Sequence, residues 1–368
     1  MSKYTLENIP TPALVIDEAK AKANIKKLAD YAADNNIGVR PHTKTHKSLL
    51  MGKHQTAGGA TGLTVAKVGE LEIMKDAHDD LLLAYPALDP ARTGRVAAVA
   101  KEKTVRVALD SQFAADQLAE AARAAGATIG ILVDFDIGMR RTGLQTAEQT
   151  LELAKHVDST DGLRLDGLFV YPGHISGSTE NITTRLTAAN EQTLQVLDLW
   201  KENGLEAGIV SGGSTPTAYY SHLFTAYTEI RPGTYIYNDR DVSGGGWCSV
   251  DECAAVILAT VVSNAVPGKL VLDAGGKTLT YDRYIFDPAD KRTFGTLMDY
   301  ENADLVGASE EHGMVDISNC DNPPKLGDRV RVLMNHVCPC VNLQDSGYLI
   351  REDGSLEPLP IDARGKLS

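Results

Sequence analysis

The sequence predicts an α/β chain, with an N-terminal (β/α)8 barrel of the TIM type followed by a β-rich C-terminal domain. Three observations carry this. Short apolar, β-branched runs alternate with longer Ala-, Leu- and Glu-rich stretches from about residue 37 to 240, the pattern of βαβ units around a parallel sheet. Eight such units occupy roughly 200 residues, the count of a closed barrel. After residue 240 the strand-like runs continue, but the amphipathic stretches between them stop.

Taken in order, TPALVID (11–17) precedes the first barrel helix and could be a strand of either domain. The barrel strands are IGVRP (37–41), GLTVA (62–66), LLLAY (81–85), VRVAL (105–109), IGILVD (129–134), GLFVY (167–171), GIVSG (208–212) and EIRPGTYIY (229–237). Between them lie helix-period stretches such as KVGELEIMKDA (67–77), SQFAADQLAEAARAAG (111–126) and TAANEQTLQVLDLWKENG (187–204). The last two end in glycine, the expected helix stop. No G-x-G-x-x-G follows the first strand, which disfavours an open doubly wound sheet. Gly244 to Gly246 form a break, beyond which ECAAVILATVVSNAV, KLVLDAGG, GDRVRVLMNHV and SGYLIRED read as strands separated by turn residues. The predicted division is 18–245 for the barrel and 246–368, with the segment 1–17, for the β domain.

With 368 residues, 43% hydrophobic and 23% charged, the chain has room for a large and a smaller globular domain. Lys and Arg total 36 against 49 Asp and Glu, a net charge of −13. That balance argues against nucleic-acid or membrane-surface binding as the main activity, since both favour a basic face. MSKYTLENIP has no apolar run of signal-peptide character. No apolar run reaches the roughly 18 residues of a membrane span. Five cysteines, an odd number, point to a reducing compartment, by default the cytoplasm.

Candidate chemistry concentrates at a few strand ends. RPHTKTHKS (40–48) packs Arg40, His42, Lys44, His46 and Lys47 into one stretch. If the first barrel strand extends through it, His42, Lys44 and His46 fall on one side at the carboxyl end, the catalytic face of such barrels. A lysine there can be desolvated and attack a carbonyl. The competing reading is a solvated basic loop. GIVSGGSTPTAYY (208–220) ends a strand in Gly212 and Gly213, then offers Ser214, Thr215 and a helix-opening Pro216. This is an anion cup of the phosphate-binding type or an ordinary capped turn. Gly233 and Tyr235 of RPGTYIY end the neighbouring strand.

In NHVCPCVNL (335–343), His336 and Cys338 alternate as on a strand, a nitrogen and a sulfur suited to an open Zn2+ site or to a buried pair. Cys340 would share their face, and nothing in the sequence excludes it as a ligand. Cys248, Cys253 and Cys320 read as scattered core or surface thiols. VDFDIGMRRTG (133–143) carries Asp134, Asp136, Arg140 and Arg141, either caps and ion pairs or a ring- or carboxylate-binding arginine. VYPGHISGS (170–178) adds Tyr171 and His174.

A barrel-mouth lysine together with a phosphate cup implies pyridoxal 5′-phosphate, with the lysine forming the Schiff base. A sugar-phosphate substrate is the alternative use of such a cup. The metal pair, which phosphate-barrel isomerases lack, favours the cofactor.

TPALVID, RPHTKTHKS, GGATGLTVAKVGELE, D-x-G-x-x-R-x-G, GGSTPT, RPGTYIYND, LDAGGKTL, EEHG and NHVCP run nearly the length of the chain. In them the sequence resembles the D-threonine aldolase / D-serine dehydratase family, fold-type III pyridoxal enzymes related to alanine racemase. The resemblance implies an alanine racemase-like barrel, a C-terminal β domain and a homodimer. It implies Lys44 as the Schiff-base lysine, Arg141 and Tyr171 beside the pyridine ring, and Gly212, Gly213, Ser214, Thr215 and Tyr235 at the phosphate. His336 and Cys338 would hold a divalent metal, zinc first and Mn2+ or Mg2+ as alternatives, and His312 of EEHG would line the substrate pocket. The implied substrate is a D-β-hydroxy amino acid. The family's dehydratases use His-x-Cys and its aldolases His-x-Asp, so Cys338 leans to a D-serine dehydratase-type reaction, whereas the VNL continuation and DAGGKTL lean to retro-aldol cleavage. A non-catalytic pyridoxal-phosphate carrier and an amino-acid racemase are remoter readings. The carrier proteins lack the β domain and the metal pair, and alanine racemases need no metal.

Overall fold

The computed structural model describes residues 4–368. After β1 (Ala13–Asp17), the apolar runs form β2 (Gly38–Val39), β3 (Leu63–Val65), β4 (Asp80–Leu83), β5 (Thr104–Leu109), β6 (Ile129–Phe135), β7 (Leu163–Val170), β8 (Ile209–Gly212) and β9 (Glu229–Ile230). The strands β2 to β9 make one eight-stranded sheet in which every pair is parallel and β9 returns to β2. The remaining seam closes where Thr64 N–H donates to the Pro41 carbonyl at 2.9 Å and His42 bridges to Thr64. The predicted barrel is therefore present, with all eight strands at the expected places.

Helices connect the strands where capping chemistry allows. Ser111 accepts from Ala114 N–H at 3.3 Å to start the helix Gln112–Ala125, and Gly126 ends it in the left-handed region at φ 66°. Thr146 and Gln149 form a reciprocal capping box before Ala147–Asp158. The helix expected from residue 187 begins earlier, at Thr179, because Ser178 caps it and Ile182 and Leu186 extend its buried stripe.

Two predicted strands stop short. The eighth pairs only over Glu229–Ile230, since Pro232 has no N–H to donate and residues 234–236 curl into a 3-10 turn. The first gives way to another 3-10 turn, Thr43–Thr45. His42, Lys44 and His46 therefore do not share one side of an extended strand. His46 and Lys47, read as solvated, are buried.

The barrel's lower interior is ionic. Arg40 donates from Nε to Glu229 at 2.8 Å and from Nη1 to Asp80 at 2.6 Å; Arg106 also pairs with Asp80 and reaches Asp166 at 2.6 Å, and Arg164 meets Asp166 at 2.5 Å. Three arginines thus meet three carboxylates. Burial opposes the charge on Asp80, but Arg40 and Arg106 still hold its carboxyl below the usual range. Glycines make the room: a Cβ on Gly62 would lie 1.9 Å from Arg40 Nη1, and one on Gly130 would lie 2.3 Å from Asp166 Oδ2.

The chain divides into two compact units. The barrel unit comprises Lys26–Lys44, Leu49–Gly233 and Gly365–Ser368. The second comprises residues up to Ile25, Thr45–Ser48 and Thr234–Arg364. Its further strands are β10 (Ala255–Ser263), β11 (Lys269–Leu272), β12 (Gly295–Leu297), β13 (Asp304–Ala308), β14 (Gly313–Asp316), β15 (Arg329–Met334), β16 (Ser346–Ile350) and β17 (Leu356–Pro360). They form a nine-stranded sheet in the order β11-β14-β13-β12-β15-β10-β1-β16-β17. TPALVID thus belongs to the second unit, between β10 and β16; residues 1–3 of the segment assigned with it lie outside the described residues. This unit starts at Thr234 rather than 246, because Asp239 accepts from Val337 N–H at 3.0 Å and Arg240 reaches Asp304 at 2.8 Å. No helix among the described residues is long and apolar enough to cross a membrane.

Glu229→Gln leaves Arg40 without its full counter-charge in the barrel interior. It should cost about 3–5 kcal/mol, read as a fall in the urea midpoint. Arg164→Met, at a side chain 49% exposed, should cost no more than about 1 kcal/mol. Equal shifts for the two variants would refute the neutral-lattice account.

Candidate active site

The carboxyl ends of the barrel strands surround a cavity of about 510 Å³, within the range of small-ligand sites. His42 and Lys44 come from the segment after β2, Lys67 from after β3, Tyr85 from after β4, Asp134 from β6, Phe169 from β7 and Arg231 from after β9. Arg141 and Tyr171 also line it, with the guanidinium 4.8 Å from the ring centroid. The structure therefore gathers Lys44, Arg141 and Tyr171 around one space. Lys44 is half-buried, and its backbone N–H donates to His42 Nδ1 at 3.4 Å, which ties His42 to the turn carrying the lysine.

Arg231 was not singled out in the sequence. It is buried and stacks on Phe169, with Cζ 3.7 Å from the ring centroid, and donates from Nη2 to the Val170 carbonyl at 2.8 Å. Nη1 is buried without a partner. Burial lowers its pKa to about 10 despite Glu229 and Tyr227. An arginine beside a Pro-Gly pair at the end of a barrel strand was the available signal, since a buried guanidinium needs acceptors. Asp134 faces the same cavity, and burial raises its carboxyl to about 6.

The glycine-rich turn is more self-contained than expected. Gly213, at φ 80°, donates its N–H to Tyr227 Oη at 3.1 Å, and Ser214 N–H donates to Thr217 Oγ1 at 3.1 Å. After Pro216 the chain forms a six-residue 3-10 helix, Ala218–Leu223, and no α-helix. An α-helix dipole therefore does not point at this turn, and the Ser214 hydroxyl itself lies 3.0 Å from Thr217 Oγ1. Gly212 packs face-on to Tyr227, whose ring a Cβ would meet at 2.1 Å. Tyr235 lies buried in the 3-10 turn Thr234–Ile236. His312 is exposed in the turn between β13 and β14.

In the second unit, β15 ends at Met334, and His336 is the N-cap residue of a short helix, Val337–Asn342. The predicted strand alternation is wrong here, because Pro339 cannot donate to a sheet ladder but suits a first helical turn, where N–H groups have no intrahelical partner. His336 and Cys338 are nevertheless brought together. Thr45 Oγ1 lies 3.1 Å and Thr234 Oγ1 3.6 Å from Cys338 Sγ, and His336 Nδ1 lies 3.3 Å from Asp282 Oδ2. Burial opposes the imidazolium, but Cys338, Asp239 and Asp282 raise its pKa to about 9. An imidazole and a thiol among carboxylates are a donor set suited to a cation, which would have to displace the imidazolium proton to bind. Cys340 does not join it: it is buried, its Sγ donates to the Thr278 carbonyl at 3.2 Å, and burial pushes its thiol to about 12. Among the described residues no three His, Cys, Asp or Glu side chains cluster as a complete metal cage, so protein ligands alone would leave coordination positions open.

Residues 16–241 match the model of the alanine racemase N-terminal domain, and 254–350 match that of a putative serine dehydratase domain. The D-threonine aldolase of an Arthrobacter species is 30% identical over 98% of this chain and 94% of its own length. The chain belongs to the D-threonine aldolase / D-serine dehydratase family. The family's enzymes are pyridoxal 5′-phosphate-dependent lyases, with metal-dependent members. Another relative, the D-threo-3-hydroxyaspartate dehydratase of Delftia sp. (strain HT23), is 28% identical over 96% of this chain and 97% of its own. The crystal structure of D-threonine aldolase from Filomicrobium marinum superposes with a TM-score of 0.90, covering 99% of this chain and 98% of that one at 29% identity.

The cavity's residues fit the family's cofactor. A planar pyridine ring that carries a phenolic oxygen and a phosphate suits aromatic walls and cations, and Arg231 Nη1 is a buried donor with nothing yet to donate to.

Proposed function

We propose that the chain is a lyase, dependent on pyridoxal 5′-phosphate and a divalent metal, acting on D-β-hydroxy amino acids such as D-serine and D-threonine. Its most concrete form is a D-serine dehydratase-type reaction giving a 2-oxo acid and ammonia, carried out by a cytoplasmic homodimer. The observation that carries this reading is the pairing of His336 with the Cys338 thiol, in a chain that also sets Lys44 in a cationic, aromatic-walled cavity.

In this reading Lys44 anchors the cofactor, Arg141, Tyr171 and Arg231 hold its ring, and Gly212, Gly213, Ser214, Thr215 and Tyr235 take its phosphate. His336 and Cys338 hold the metal, with zinc favoured by the soft thiolate over Mn2+ or Mg2+. Once bound, the cofactor supplies an electron sink and the metal a Lewis acid for the β-hydroxyl. The chain does the rest. Lys44 Nζ takes the proton from the substrate's α-carbon, His42 steadies the turn that carries it, and the enclosed walls keep water away from the reacting carbon. His312, exposed between β13 and β14, is assigned to the substrate pocket on the family resemblance alone.

The aldolase reading, cleavage to glycine and an aldehyde, draws support from the 30% identity to the Arthrobacter enzyme across nearly the whole chain. Product analysis separates the two. With D-threonine, 2-oxobutyrate and ammonia are expected, whereas glycine and acetaldehyde would establish the alternative.

Two further outcomes are expected. Borohydride reduction of the cofactor-loaded protein should fix the pyridoxyl group on the peptide holding Lys44, and Lys44→Ala should lose both the label and the visible absorbance band. Label on another lysine would refute the assignment. For the metal, cobalt-loaded protein should show a thiolate-to-metal absorption that Cys338→Ser abolishes and Cys340→Ser retains. The reverse pattern would move the ligand to Cys340.

A further inference from the structure

The cavity holds more positive charge than the cofactor assignment uses. Lys44, Arg141 and Arg231 are taken up by it, yet Lys67 and Arg92 also line the space, on the β3 and β4 side. In a chain of net charge −13, such a concentration of cations around one cavity needs a physical reason.

Lys67 is the unusual member. It lies two residues past the barrel-mouth end of β3 in extended backbone (φ −140°, ψ 157°), at the N-cap position of Val68–Met74, and its side chain makes no capping bond. Its Nζ lies over the face of Tyr85, 3.7 Å from the ring centroid. Among the described residues no carboxylate is paired with it, unlike Lys75, Lys103 or Arg240. Arg92 is only partly engaged, with Nη1 3.1 Å from Asp89 Oδ2. An aromatic face attracts an ammonium without neutralising it. A half-buried cation held this way keeps its full capacity for an anion.

We infer that Lys67, backed by Arg92, is the point at which the cavity recognises a carboxylate of the substrate. The inference rests on the lyase reading, because that reading assigns the other cations. The carboxylate has two possible sources: the α-carboxylate common to all D-amino acids, or the side-chain carboxylate of a β-hydroxy dicarboxylate such as 3-hydroxyaspartate. Tyr85 sets the ammonium's place, and Lys67 is a binding residue that moves no proton.

The test uses holoenzyme of the wild type, Lys67→Met and Lys67→Arg. Steady-state kinetics and calorimetric titration are run with D-serine, D-threonine and 3-hydroxy-D-aspartate, and cofactor affinity is measured in parallel. Lys67→Met should raise KM and the ligand dissociation constant roughly tenfold to a hundredfold, the range for losing a hydrogen bond to a charged group. The kcat should change little, Lys67→Arg should restore binding, and cofactor affinity should hold. A loss shared by all three ligands identifies the α-carboxylate, and a loss confined to 3-hydroxy-D-aspartate identifies the side chain. Unchanged binding of all three, or a weakened cofactor that accounts for the loss, overturns the inference. Calorimetry reads binding wherever the ligand is not converted, and KM reads it where it is, so a wild type that binds these ligands but converts none would count against the lyase reading alone.

Discussion

The double grip of Arg40 on Glu229 and Asp80 is the constraint on which the barrel depends. It joins the segment after β2 to the first residues of β9 and β4, so the last strand, the first and a strand beyond are tied through one guanidinium. Arg106 and Asp166 carry the ties on to β5 and β7. Ser211 of β8 adds its hydroxyl to Glu229 at 2.6 Å. Desolvating the charges at its centre is costly, and the arrangement is tolerable only because positive and negative groups balance and their geometry is met. Such a lattice does not deform gradually. It has one low-energy arrangement, and that arrangement fixes where each strand end emerges above it.

The same residue type then does different work a few ångströms higher. Glu229 and Arg231 are two positions apart, so in extended chain both point inward. Glu229 meets the floor, while Arg231 lies against the aromatic face of Phe169 and a carbonyl, with one nitrogen unclaimed. Paired arginines hold the structure, and under-paired ones line the cavity. The distinction lies in the partners, and it gives a physical criterion for separating structural from functional cations in this barrel.

That criterion also marks how far the sequence can be read. Strands and helices were legible because their apolar periodicity is local, and capping residues such as Ser111 and Gly126 announced the ends of a helix. That Lys44, Arg141 and Tyr171 line one cavity was legible because each lies in the loop beyond a strand that is easy to see. The ionic floor could not be found, because its six members come from five separate segments and each looks like an ordinary surface charge. Alternation misled at His336 and Cys338: a period of two is indistinguishable from chance over three residues, and Pro339 was the overlooked sign of a helical turn. The glycine-rich turn had the composition of an anion cup; the claim of Tyr227, 14 residues on, was invisible, whereas Thr217, three residues from Ser214, was a local capping hydroxyl that went unread.

An acidic protein with a cationic cavity poses an electrostatic question of its own. At a distance the net charge of −13 repels anionic ligands, but salt screens that repulsion beyond roughly 8 Å. Inside the cavity the ordering reverses: fewer waters compete, the effective dielectric falls, and charges a few ångströms apart dominate. Attraction is therefore short-ranged and confined to ligands able to enter. Anions that cannot shed water and fit between Tyr85, Phe169 and Tyr171 gain little from the cations behind them. Selectivity for a compact, partly planar anionic ligand follows from that contrast between surface and interior, before any individual hydrogen bond is counted.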